Sequence, residues 1–126
     1  MRVYKLKGFA RFQRGARIAD EALSGAARDA DSGLVDADLG GGLIKQRIAR
    51  KGQGKSGGYR TVIAFRRGGR AIFLYGFAKS GRENIDDDEL QVWRRIGRLY
   101  LGLDMDGIKA AIESKELVEV EHGATE

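Results

Sequence analysis

The chain has 126 residues with no cysteine and no proline, and 23 Lys and Arg against 18 Asp and Glu give it a formal net charge of +5. That length reads as a single domain over residues 1–126, large enough to bury about two-thirds of its unfolded surface without staples. Lack of cysteine excludes disulfides, thiolate zinc sites and a cysteine nucleophile. No apolar run reaches the roughly 18 residues of a membrane span and no charged-then-apolar leader opens the chain, so the expected location is cytoplasmic, away from any membrane.

Residues 2–7 alternate, with Val3, Tyr4 and Leu6 apolar, which predicts an opening strand ended by Gly8. Phe9 and Phe12 have the spacing of a helical turn. Ile18, Ala19, Ala22, Leu23, Ala26, Ala27 and Ala30 then recur at helical intervals, predicting a helix over about 17–31 whose small residues let it lie close to a sheet. Ser32-Gly33 stops it, and Gly40-Gly41-Gly42 marks a second break after the acidic stretch 36–38.

From Leu43 the period changes to two. Residues 43–50, 58–66 and 71–79 are strand-length and rich in Ile, Val, Phe and Tyr. They are joined by a glycine-rich loop over 51–57 and by Arg67-Gly68-Gly69-Arg70, whose paired glycines supply the positive φ of a tight hairpin turn. Connections this short make an antiparallel meander.

Asn84 to Asp88 caps a further helix, with Asp86, Asp87, Asp88 and Glu89 at its positive end and Arg94, Arg95 and Arg98 following. Val92, Trp93, Ile96, Leu99 and Tyr100 form its expected buried stripe, read as core packing and not as a cofactor box. Gly102 ends it, and residues 104–114 predict a short helix carrying Ile108, Ala111 and Ile112. The last segment, 117–126, is acidic; its first part reads equally as a terminal strand or as the start of an acidic tail.

Charge is distributed very unevenly along this pattern. Residues 39–82 hold eleven Lys or Arg and no acid, whereas residues 83–126 hold five bases and twelve acids. Such a basic block concentrates phosphate-bearing ligands, so a polyanion is the partner it implies. Alternation puts Lys45 and Arg47 on one strand face with Ile44 and Ile48 on the other. Arg60 opens the next strand, Lys79 closes the third at the same end of the sheet, and Arg50, Lys51, Lys55 and Arg82 flank them in or beside the loops.

Phosphodiester transfer from a ribose 2′-hydroxyl needs that hydroxyl deprotonated, charge on the phosphorus oxygens stabilised, and the leaving 5′-oxygen protonated. Clustered cations meet the second need, and a lysine crowded by other cations gives up its proton more readily. A paired-histidine ribonuclease is excluded, since His122 in the acidic tail is the one histidine. Metal-dependent chemistry finds no carboxylate ligand inside the basic block, and Asp86 to Glu89 read as a helix cap, so no metal or cofactor is expected. Gly54-Lys55-Ser56 is not a nucleotide-binding loop: the glycine four residues earlier is missing, and a strand follows where a helix is required.

Gly41-Gly42-Leu43, Lys45, Arg47, the run from Arg50 through Gly58-Tyr59-Arg60, and Phe77-Ala78-Lys79 with Arg82-Glu83-Asn84-Ile85 resemble the RelE/ParE toxin superfamily, specifically its HigB-like RelE branch. Element order is similar over residues 3–101, and the specific part, the basic sheet and loop core, is 41–85. The resemblance implies an α+β domain: helices packed on a twisted, mainly antiparallel sheet of about four strands, with C-terminal helices. It implies the toxin of a type II toxin–antitoxin pair, a ribosome-dependent, metal-independent mRNA endonuclease that inhibits translation and is neutralised by a small antitoxin, expected to be a helix-turn-helix protein. By motif position it makes Lys45, Arg47, Arg60 and Lys79 catalytic, with Lys45 or Arg47 as proton acceptor, and Arg50, Lys51, Lys55 and Arg82 RNA-binding. One departure stands out: some RelE-like nucleases carry a tyrosine shortly after the position of Lys79, and here that stretch is Asn84-Ile85-Asp86-Asp87, leaving Tyr100 or Trp93 to reach in from the helix. Two other readings use the same surface: a nucleic-acid-binding module or decayed toxin that does not cut, and a ParE-like topoisomerase inhibitor, against which the HigB-like loop argues.

Overall fold

The computed structural model describes residues 1–50, 54–79 and 85–120, with backbone alone at 50 and 54–57. The alternating start is strand β1 (Arg2–Leu6), which buries Val3 and Tyr4 on opposite faces. Helix α1 (Lys7–Ala16) comes directly after it and is closed by Arg17, whose φ of 57° is left-handed. A left-handed residue cannot continue an α-helix, so α2 spans Asp20–Asp31 and starts later than residue 17. Buried Lys5 donates to Gln13 Oε1 at 2.7 Å and pairs with Asp20 at 3.0 Å, tying β1, α1 and α2 together.

The meander consists of β2 (Ala37–Gly40), β3 (Leu43–Arg50), β4 (Gly54–Phe65) and β5 (Arg70–Ala78). The chain then forms α3 (Asp87–Leu101), α4 (Met105–Glu113) and β6 (Leu117–Glu119). The strands make one open sheet in the order β2-β3-β4-β5-β1-β6, parallel between β1 and β5 and antiparallel elsewhere. The architecture is α+β, with six strands among the described residues where about four were expected. Both additional strands are short edges, β2 from the acidic stretch and β6 from the segment for which a terminal strand was one of the two readings. Edge strands pair on one side only and need no long apolar alternation, which is why composition did not announce β2 and left β6 as one of two readings. Leu117 and Val120 are buried, so the acidic tail does not begin at 117. Likewise β4 starts at Gly54, inside the expected glycine-rich loop.

Helices cover both faces of the sheet. On the first, Phe9 of α1 and Leu23, Ala26, Ala27 and Ala30 of α2 pack on Ile44, Ile48, Ile63 and Phe73. On the second, Tyr100 of α3 and Ile108 and Ala111 of α4 pack on Tyr4, Leu43, Val62, Ala64, Ile72 and Leu74. The stripe expected on α3 is only partly buried: Val92 is 49% and Leu99 60% exposed. Its close approach is made by Gly97 instead, where a Cβ would lie 2.9 Å from Leu43 Cδ2 and 3.1 Å from Ala64 Cβ.

A bulge in β5 decides which residues of its second half face which helices. Val62 pairs with Tyr75 and Ile63 with Phe73, so Leu74 is an extra residue. Beyond it the alternation is inverted: Gly76 and Ala78 lie against α1 and its cluster, while Tyr75 and Phe77 lie on the second face.

Candidate functional site

The second face has two halves. Helix α3 covers one, where Gly97 rests over Leu43, Ala64 and Leu74. In the other half the ladder continues in two cross-strand rows, Lys45–Val62–Tyr75 and Arg47–Arg60–Phe77. Lys45 and Arg47 share this face because Leu43, two residues before Lys45, is part of its core. Arg60 shares it through Val62 and Ala64. The bulge brings Tyr75 and Phe77 of β5 onto it, and exposed Lys79 follows directly after the strand, its N–H donating to Gly58 O at 3.3 Å.

Lys45, Arg47 and Arg60, with Asp36 and Ala37, line one cleft of about 250 Å³. The structure thus brings three of the four candidate catalytic residues into one hollow; the fourth, Lys79, does not line it and sits exposed just past the end of β5. Arg60 is 8% exposed, whereas the Arg47 side chain is 42% exposed and reaches the cleft mouth. Lys51 and Arg82 lie outside the described residues, as do the side chains of Arg50 and Lys55. A larger cavity of about 510 Å³ lies on the first face, between the α1–α2 turn and β3–β4; it is lined mainly by small and apolar residues such as Ala16, Ile18, Ala22 and Ile48, and shares no residue with the cationic cleft.

Two neighbours of the cleft were missed from sequence. Asp36, read only as part of an acidic break, enters it just before β2: its Oδ2 accepts the Arg47 backbone N–H at 2.5 Å and its Oδ1 lies 3.4 Å from the Arg47 guanidinium. Tyr75 is the second. Counting by twos from Ile72 assigns it to the first face, and only the bulge puts it beside Lys45's row, where Trp93 stacks on it at 5.4 Å and 26°. Trp93 therefore reaches the site's border through Tyr75.

Tyr100 does not reach it. Its hydroxyl donates to Glu116 at 2.9 Å and its carbonyl accepts from Arg70, at the opposite end of β5. Burial, then the hydrogen bond and charge of Glu116, push this phenol up to about 12. The acidic run at α3 acts as a cap: Asp86 accepts the Glu89 N–H at 2.9 Å. Among the described residues no three His, Asp or Glu side chains converge as metal ligands, and no helix is long and apolar enough to cross a membrane.

A basic cleft at the end of a β3–β5 meander, with helices on both sheet faces, has its counterpart in sequence kinship. The family model described as RelE toxin of RelE / RelB toxin-antitoxin system matches residues 1–120. The chain belongs to the RelE toxin family. As a RelE toxin it is one half of a toxin–antitoxin system, and its counterpart is an antitoxin. No curated protein matches the chain. The matched span contains every strand and helix described above.

Proposed function

We propose that this RelE family toxin is a cytoplasmic mRNA endonuclease of the HigB-like branch, which cuts messages on the ribosome without a metal and is held inactive by a small helix-turn-helix antitoxin. The carrying observation is the meeting of Lys45, Arg47 and Arg60 in one cleft. Cations fixed around a hollow of this size oppose the charge that develops on a phosphoryl group during transfer, and a buried guanidinium such as Arg60 does so more strongly than a solvated one. In this reading Arg60 and Arg47 hold the scissile phosphate, Lys79 holds the backbone beyond it, and Lys45 or Arg47 takes the 2′-hydroxyl proton. Arg50, Lys51, Lys55 and Arg82 bind flanking RNA.

The test is purified protein added to translating ribosomes, with message ends mapped. Cleavage within codons that persists in chelator supports the proposal; intact messages under conditions where the protein arrests translation count against it.

A second reading has its own observation. No tyrosine follows Lys79 before Tyr100, and Tyr100 is bonded to Glu116 away from the cleft. That favours a toxin that binds RNA without cutting it. Tight, salt-sensitive RNA binding with no cleavage on or off the ribosome distinguishes it.

A further inference from the structure

We infer that Asp36 is the positioning residue of the cationic cleft: it holds the Arg47 guanidinium beside Arg60, ready for a phosphate. Arg47 and Arg60 are direct cross-strand partners on one face, and like charges so placed repel. Arg60 is buried and cannot retreat, whereas Arg47 has open solvent to swing into. Among the described residues, Asp36 is the carboxylate that lines this cleft. Its two oxygens engage the Arg47 backbone N–H at 2.5 Å and the guanidinium at 3.4 Å, so it fixes both the strand and the side chain it carries.

Asp36 is itself held from the far side of the sheet. Its backbone N–H donates to Gln46 Oε1 at 2.8 Å. Gln46 is 3% exposed, and its amide group donates to Ala26 O of α2 at 3.1 Å and to Leu34 O at 3.0 Å. A buried amide with three bonds is a rigid support. The contact to the guanidinium, at 3.4 Å and partly exposed, is weak by comparison. A phosphate takes the guanidinium donors that Asp36 leaves open, while the carboxylate and its bond to the backbone keep Arg47 in register. Asp36 thus orients Arg47 without closing the cleft.

The role presupposes that the cleft cuts RNA, and the experiment separates the two. Wild type, Asp36→Ala and Asp36→Asn are compared for cleavage of message on translating ribosomes, and for the Arg47 Nε–H heteronuclear NOE by NMR. In Asp36→Ala kcat falls by about tenfold to hundredfold, as for a displaced catalytic group, while KM stays level or drops because a negative charge has left the cleft. Asp36→Asn, which keeps the backbone contact and the shape, lies between and serves alone if the alanine variant does not fold. The Arg47 NOE falls in the same order. An unchanged kcat and NOE, or a raised KM at unchanged kcat, overturns the inference while leaving the ribonuclease reading intact. A wild-type chain that cuts nothing, with the NOE still falling on substitution, defeats the ribonuclease reading and keeps the positioning.

Discussion

Arg47 and Arg60 face each other across the β3–β4 ladder, one at the mouth of a cleft and the other buried in it. Two guanidiniums opposed in this way give up pairing energy for a concentrated positive potential. Arg60→Lys keeps the charge but loses the planar fork that bonds a phosphate twice. It should keep the fold and lower cleavage at least tenfold. Arg60→Ala should in addition flatten the slope of log affinity against log salt by roughly 0.7 for each phosphate of single-stranded RNA that is no longer neutralised. Cleavage assays and RNA binding across a salt series check both.

Gly97 lets α3 lie on the sheet. A Cβ there approaches Leu43 and Ala64 of the second core to 2.9 and 3.1 Å, and Ala64 has no rotamer with which to move aside. Gly97→Val should therefore destabilise by about 2–3 kcal/mol through overpacking and a stiff helical rotamer. Urea unfolding measures this. Lifting α3 also unstacks Trp93 from Tyr75, so the tryptophan fluorescence of the folded variant should shift.

Val92 and Leu99 lie on the opposite side of the same helix, 49% and 60% exposed. Val92→Lys and Leu99→Lys should each change stability by no more than about 0.5 kcal/mol. A loss of several times that would mean these residues are core.

This helix shows how far the fold was legible in the sequence. Its position, acidic cap and amphipathic character follow from the residues, as do the three strands of the meander and the alternation that puts Lys45 and Arg47 on one face. Trp93, Ile96 and Tyr100 of the expected stripe do lie against the second core, but Val92 and Leu99 do not, and the residue in closest contact, Gly97, adds nothing to an apolar count. Edge strand β2 was obscured, and β6 left undecided between strand and tail, because both are short and carry polar residues. In the site, the cations of β3 and β4 could be placed by counting twos. Tyr75 could not, since a bulge has no composition signal of its own. Asp36 was hidden by its charge: a basic cleft is sought among cations, and only the fold brings the carboxylate of residue 36 to the guanidinium of residue 47.

Tyr100 supplies a pH signature far from the cleft. With its hydroxyl pushed up to about 12 by burial and by Glu116, the folded chain holds this proton more tightly than the unfolded chain, where tyrosine titrates near 10. The stability so gained is complete below about pH 10 and is lost as pH rises through about 12, an effect of roughly 1–3 kcal/mol. Tyr100→Phe should be about 1 kcal/mol less stable at neutral pH for want of the Glu116 bond. It should also lose less stability than wild type between pH 10 and 12. Denaturant midpoints across that range test the sign.

The most direct test of the central claim is message cleavage on translating ribosomes by wild type and by a Lys45→Ala, Arg47→Ala, Arg60→Ala, Lys79→Ala series, with melting curves taken in parallel. Cleavage by wild type in the presence of chelator, reduced by at least tenfold in each folded variant, is the predicted result. Undiminished cleavage in the Arg60 and Lys79 variants, or no cleavage by a wild type that still arrests translation, would contradict it.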